Sequence, residues 1–394
     1  MDDDIAVRVY NDPLARRFVT EAFRITDTAA LIGASGEQIA AAGIPLARLA
    51  YFQFTLHPEV AGKSYTWRRG HGVAVGSAPH GLLQEQRFRD SPMLPVFEQA
   101  KAVRFRLDRG EHRAPVLAEL TREGATDYVA LPLVFSTGHV DGLSVVSDTP
   151  GGFSRGDLDR MYLLQFAFTR IVETHSLRDT ATYLLDAYVG RAAGQRILAG
   201  AVKRGGGETI EAVIWYCDLR DFTAMSDRLP RDAVIALLND YFGALGAAVT
   251  DHGGEILKFI GDAMLAIFAV EAPAARAEVV GRAARAAAQA LAAIAALNAR
   301  RAADGAPPIR FGLALHLGEV MFGNIGASAR LDFTVIGPAV NQAARIEGLC
   351  STLGRAVVVS DAIAAYLPTH DLEPLGAHAL KGIAEPQAVY GLRS

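Results

Sequence analysis

The sequence predicts an α+β protein in which a first α/β domain and a second βαββαβ domain are joined by a long helical connector. Three observations lead there. The chain has 394 residues, which suggests two or three domains rather than one. Its second half alternates apolar strands with two long helical patterns. Between the halves, Leu158, Met161, Leu164, Phe168, Ile171 and Val172 recur at three- and four-residue spacing, the signature of an amphipathic helix. With 51% hydrophobic and 21% charged residues, the composition supports packed cores and is unlike that of a disordered chain.

Residues 1–155 read as one α/β unit. Helical patterns over 13–30 and 36–42 lead into an alternating run, ARLAYFQFTLHPE. Short strands follow at 64–69, 128–135 and 141–148, the last two forming a hairpin through Ser136-Thr137-Gly138-His139. Ser154 is placed as an N-cap, with Asp157 three residues on. Residues 156–205 then form the helical connector, long enough to dimerise, and Gly205-Gly206-Gly207 marks a loop. Residues 206–394 make the second domain. Its expected elements are a strand at 211–219, a helix at 230–250 ended by Gly253-Gly254, a hairpin of 255–260 with 263–270, and a helix at 273–303. Strands at 309–316 and 319–325, a helix at 338–353 and a strand at 356–360 follow. The order β-α-β-β-α-β is the split, ferredoxin-like arrangement.

Bulk properties narrow the function. A formal charge of −4 shows no basic excess, so nucleic acid is not an indicated partner. The two cysteines, Cys217 and Cys350, read as small core residues in a reducing compartment. The start, MDDDIAVRVY, is acidic and unlike a signal peptide. The longest apolar stretch, 283–299, carries Arg285, Gln289 and Asn298, so no membrane span is expected. The expectation is a cytoplasmic protein.

The residues that carry chemistry cluster in the second domain. Asp218 ends an apolar strand, and Asp262 sits in the turn of the following hairpin. Two carboxylates completed by substrate phosphates are a common way to hold a pair of hard cations. Lys258 lies on the first strand of that hairpin and is expected to share a face with Ile256 and Ile260. Asn341 and Arg345 are four apart on one helix and therefore share a face; an amide beside a guanidinium suits a ribose and a phosphoryl oxygen. Thr334 precedes the turn Ile336-Gly337-Pro338. Lys381-Gly382 lies in a turn before the terminal strand, where a flexible lysine reaches a polyphosphate. Taken singly, each has an ordinary structural reading: a cap, a turn, an exposed strand lysine, a solvated helix face.

Together, in order, the segments CDLRDFT, EILKFIGDAMLAIF, GLALHLGEVMFGNIG, DFTVIGPAVNQAARIE and LKGIAEPQAVY resemble the catalytic domain of class III adenylate and guanylate cyclases, over about 208–392. The resemblance implies that Asp218 and Asp262 bind two Mg²⁺ or Mn²⁺ ions. It implies that Lys258 and Thr334 read the purine, that Asn341 and Arg345 form the transition-state pair, and that Lys381 binds phosphate. Arg330 lies near where some relatives place a phosphate-contacting arginine, and Pro338 stands where many have Asp. A Lys–Thr pair favours ATP: Lys258 donates to adenine N1 and Thr334 accepts from the exocyclic amine, whereas guanine reverses that donor–acceptor order.

The implied reaction is attack of the ribose 3′-OH on the α-phosphorus with loss of pyrophosphate. The family's sites straddle two catalytic domains, so a chain with one complete set is expected to act as a homodimer. The first domain is similar to a GAF-type sensor, with His57, Trp67, His71 and His80 as candidate pocket residues and a small-molecule regulator as the implied ligand. The alternatives are a guanylate cyclase and a catalytically silent nucleotide-binding or dimerisation module.

Overall fold

A computed structural model describes residues 7–9, 11–57, 60–110, 114–203, 205–327 and 330–393. The acidic start (1–6) and the Pro58-Glu59 end of the first predicted strand lie outside the described residues. The chain divides into two compact units, Met1–Ala187 and Tyr188–Ser394.

The first unit opens with helices α1 (Pro13–Thr20) and α2 (Thr28–Ala41). Asp12 and Asp27 cap them, Asp12 accepting from the Leu14 and Ala15 backbone N–H groups and Asp27 from that of Ala30. The strands are β1 (Arg48–Phe54), β2 (Val60–Arg68), β3 (Gly72–Pro79), β4 (Val103–Arg106), β5 (Asp127–Val134) and β6 (Val140–Ser147). They form one antiparallel sheet in the order β3-β2-β1-β6-β5-β4. Helix α3 (Pro115–Arg122) precedes β5, and helix α4 (Arg155–Val189) ends the unit. Alternation sorts each strand between two cores. Leu49, Tyr51, Trp67 and Leu131 join α2 and Phe168 of α4 on one face. Tyr128, Ala130 and Val146 join Met93, Val96 and Leu117 on the other. Ser154 and Asp157 form the expected reciprocal cap: Oγ of Ser154 accepts from the Asp157 N–H at 3.2 Å, and Oδ2 of Asp157 accepts from the Ser154 N–H at 2.9 Å.

Two expectations change here. The connector is not one helix. It breaks at Gly190, whose φ of +91° no helix admits, and resumes as α5 (Arg191–Leu198). Trp67 belongs to the core, its indole N–H donating to Glu37 at 3.1 Å. None of His57, Trp67, His71 and His80 lines the cavity of about 370 Å³ in this unit, and His71 lines a second cleft with Arg68 and Arg69.

In the second unit the strands are β7 (Gly207–Leu219), β8 (Glu255–Ile260), β9 (Ala263–Val270), β10 (Phe311–Ala327), β11 (Arg330–Ile336), β12 (Val357–Ser360), β13 (Leu372–His378) and β14 (Gln387–Leu392). The helices are α6 (Arg231–Asp251), α7 (Arg276–Ala303) and α8 (Pro338–Leu353). The sheet runs β13-β14-β12-β10-β7-β9-β8, and β11 pairs the far end of β10. Chain order β7-α6-β8-β9-α7-β10 with sheet order β10-β7-β9-β8 is the split arrangement expected. The two strands expected at 309–316 and 319–325 are one. Leu317 and Gly318 stay in register with Val213 and Ala212 of β7, so the ladder never breaks.

Helices α6 and α7 cover one face of the sheet, and α8 with α5 covers the other. By length and composition, Arg231–Asp251 and Pro273–Ala303 are apolar enough to cross a membrane, which the sequence reading had not allowed. Their apolar stripes are used otherwise: Leu237, Tyr241 and Leu245 of α6, and Val280, Ala287 and Ile294 of α7, are buried against the sheet.

His316 of β10 is buried on the α8 side, its Nδ1 2.9 Å from Oγ of Ser360. Burial pushes its pKa down from 6.5 to about 4. As pH falls between those values the unfolded chain binds a proton that the folded one refuses, so this contribution is complete above 6.5 and lost toward 4. Thermal unfolding of the full chain is therefore expected to lose up to about 3 kcal/mol in the second unit across that window. In His316→Gln the slope flattens; an unchanged slope would place the acid sensitivity elsewhere.

Candidate active site

The site begins where β7 runs out. Cys217 is fully buried under α6 and α7, so Asp218, next along the strand, points to the α8 face. The β8–β9 hairpin closes through Gly261-Asp262, two residues between the paired Ile260 and Ala263. Gly261 takes φ +65°, the left-handed conformation such a turn needs at low cost. This brings the Asp262 carboxylate against that of Asp218. Burial, and then the like charge of Asp262, push Asp218 up to about 6, while Arg220 pulls the other way. Oδ1 of Asp218 is buried and has no hydrogen-bond partner.

A third carboxylate faces the same spot. Glu347 of α8 is buried, and burial together with Asp218 and Asp262 raises it to about 7 against the pull of Arg220. Arg220 reaches Oε1 of Glu347 at 2.6 Å and donates to its backbone carbonyl at 3.0 Å. The contact needs Gly312, which pairs with Asp218 across the sheet. A Cβ there would stand 2.0 Å from Nη2 of Arg220 and 2.3 Å from Oε1 of Glu347. The next residue, Asp221, takes a left-handed φ of +59° and pairs with Arg310 at 2.5 Å, turning the chain away from the site.

Lys258 is not placed as alternation alone predicts. The register shifts between Ile256 and Lys258, so Ile256 packs with the α6–α7 core while Lys258 lies opposite Leu265, on the other face. Lys258 forms no ion pair among the described residues. Strand β11 comes close to β8, and on it Thr334 is buried with Oγ1 lacking any hydrogen-bond partner.

Helix α8 separates the remaining residues. Ala339, Ala343, Ile346, Glu347 and Cys350 form its buried side. At 3.6 residues per turn Asn341 and Arg345 fall roughly opposite that side; Asn341 is exposed and Arg345 half-buried. A methyl group at Gly382 would stand 3.6 Å from Nη2 of Arg345, so the Lys381-Gly382 turn lies beside the guanidinium, with Lys381 exposed. Arg330 is exposed at the start of β11, 3.9 Å from Asp332. The structure thus gathers Asp218 with Asp262, and Arg345 with the Lys381 turn. It sets the two groups on different sides of α8.

Among the described residues, no group of three His, Cys, Asp or Glu side chains is arranged to hold a metal ion by itself. The two aspartates nonetheless fit a divalent cation. They are hard oxygen donors, held together against their mutual repulsion, with one oxygen unpaired.

Residues 208–394 match the family of adenylate and guanylate cyclase catalytic domains. That part of the chain is a class III nucleotidyl cyclase catalytic domain, of a family that generally uses two metal ions and typically acts as a dimer. Similar proteins include the adenylate cyclase of Anabaena cylindrica, 31% identical over 205 residues, with 52% of this chain and 39% of that protein covered. Adenylate cyclase 1 of Rhizobium meliloti (strain 1021) is 32% identical over 181 residues, covering 46% and 27%. Among solved structures, the guanylyl cyclase Cya2 aligns with 28% identity and a TM-score of 0.42, over 48% of this chain and 93% of its own. The match therefore spans between about a quarter and two fifths of the length of these adenylate cyclases.

Sequence reasoning missed Arg220 and Glu347. The signal was present: both fall within the motifs quoted above, two residues from Asp218 and from Arg345. Their pairing predicts an asymmetry. Arg220→Ala strands a buried carboxylate and is expected to cost about 3 kcal/mol. Glu347→Gln leaves Arg220 its backbone acceptor and its partial exposure, and should cost less than half as much. Denaturant unfolding of the two variants checks this; equal losses would show that the pair carries no such burden.

Proposed function

We propose that the protein is an adenylate cyclase that converts ATP to 3′,5′-cyclic AMP and pyrophosphate at sites shared between two copies of the chain. One observation carries the choice of ATP: the buried, unpaired Oγ1 of Thr334 on a strand close to the one bearing Lys258. A buried polar atom without a partner is costly unless a ligand completes it. Thr334 accepts from the adenine amine and Lys258 donates to N1. With guanine, Lys258 meets N1–H, donor against donor, and a site built to hydrogen-bond rejects the mismatched base by orders of magnitude.

Asp218 and Asp262 would hold the two cations. Bound there, the cations supply neutralisation of the triphosphate and a lower pKa for the ribose 3′-OH. The other residues act directly. Asn341 orients the ribose so that the 3′-oxygen stands in line with the α-phosphorus. Arg345 donates to the α-phosphoryl oxygens, where negative charge grows as the bond to pyrophosphate breaks. Lys381, exposed on the turn beside Arg345, offsets charge on the leaving polyphosphate.

The reading needs a second copy. Asn341 and Arg345 project away from the sheet that carries their own Asp218, so the partner's set completes each site. Two exposed apolar groups suit such an assembly. Phe259, Ile260, Met321 and Ile336 are each about half exposed near the β8 and β11 edge of the second unit. Along α4, Tyr162, Phe166, Leu177 and Leu184 are exposed as well. Regulation through a small molecule bound by the first unit completes the proposal.

Turnover of ATP should exceed that of GTP by about a hundredfold in kcat/KM, and Thr334→Val should erase most of that preference. Comparable rates for both nucleotides in the unaltered protein would point instead to a cyclase without purine selection. Asp218→Ala and Arg345→Ala should each be inactive alone. Mixed in equal amounts, they should recover about a quarter of the unaltered activity, since half the dimers are hybrids with one whole site. A dead mixture with demonstrated exchange of chains rules out the shared site.

A further inference from the structure

The first unit contains a cavity of about 370 Å³, within the range of small-molecule sites. It lies on the sheet face opposite α2 and α4. Its floor is cleared by small residues toward one edge of the sheet: Ser64 of β2, and Gly76 and Ala78 of the edge strand β3. Its wall is aromatic. Phe97 packs edge-on to Phe54, ring centroids 4.9 Å apart, and is stacked with Phe88 at 6.0 Å. Three cations lie on the lining: Arg87 is exposed, Lys63 donates to the Tyr183 hydroxyl at 2.6 Å, and Arg48 has no such partner. Arg48 of β1 lines the cavity; its Nε is buried without a hydrogen-bond partner, and burial lowers its pKa.

The neighbouring charges do not satisfy it. Glu119 and Glu123 are near enough to act on Arg48 electrostatically, but Arg48 forms no ion pair among the described residues. Glu123 is held by Arg68 at 2.7 Å, and Asp148 is held by Arg69. Arg68 is also the cross-strand neighbour of Arg48, adding positive charge. A guanidinium left unpaired beside an aromatic pocket is a receptor for an anion that brings its own apolar body. Of the lining cations only Arg48 has a buried nitrogen without a partner, which matches a single negative charge, and Asp90, also on the lining, disfavours more.

We propose that the first unit binds an organic monocarboxylate, its carboxylate on Arg48 and its aromatic or branched apolar part among Phe54, Phe88 and Phe97. This deepens the regulatory part of the proposed function by naming the ligand class, and it does not depend on the catalytic reading.

The probe pair is 4-phenylbutyrate and its neutral amide, titrated calorimetrically into the full-length protein. The acid is expected to bind at least tenfold more tightly than the amide. Arg48→Gln should bring the two within about threefold of each other. Ser64→Phe keeps the arginine and fills the floor, so it should remove binding of both. Circular dichroism checks that each variant is folded; if Arg48→Gln is not, the acid-to-amide ratio and Ser64→Phe still decide. Equal affinity for acid and amide, no binding of either, or full binding by Ser64→Phe each overturn the proposal. None of these outcomes touches nucleotide turnover, so failure here is distinct from failure of the cyclase reading.

Discussion

Unbalanced negative charge at the end of β7 governs the second unit. Asp218, Asp262 and Glu347 converge on one face of the sheet, and Arg220 is the cation that reaches them. Burial makes the repulsion expensive. Two of the three carboxylates respond with strongly raised proton affinity, and only Glu347 has a guanidinium to itself. The strand end, the two-residue turn at Gly261 and the space left by Gly312 all keep this arrangement in place. A fold that holds acids together in this way is poised for positive charge from outside, which is what metal-assisted phosphoryl chemistry requires.

Much of the second unit was legible because its elements are long and periodic. Helix α8 begins and ends where the Pro338 start and the Gly354 stop place it. The hairpin of β8 and β9 follows from apolar runs around a Gly-Asp pair. The bulge beside Lys258 was not legible, because alternation assumes an unbroken register. Strands β3, β4 and β13 were missed for a related reason. They are short or lie at sheet edges, with glycines and polar residues where an apolar rhythm would be read. The long helical pattern hid the break at Gly190, since one glycine barely disturbs a spacing count.

The candidate site divides in the same way. The aspartates, the lysine and the helix pair stand in motifs and could be named from the chain. The bridge from Arg220 to Glu347 joins residues 127 positions apart; each stands in a motif, but nothing local announces their pairing. In the first unit, scattered histidines suggested a pocket; His71 lines a cleft with Arg68 and Arg69, and His57 and His80 stay off the cavity walled by Phe54, Phe88 and Phe97. The cavity found instead is made of small residues, and absent side chains leave little trace in a sequence.

Helix α8 has one further consequence. Its two outward residues sit across the helix from its buried side, so under the shared-site reading a lone chain holds half of two reactions and the whole of none. Output then depends on how often copies meet: well below the concentration of half-assembly, halving the amount of protein quarters the product formed. Abundance would be read out more steeply than in any enzyme whose single chain suffices.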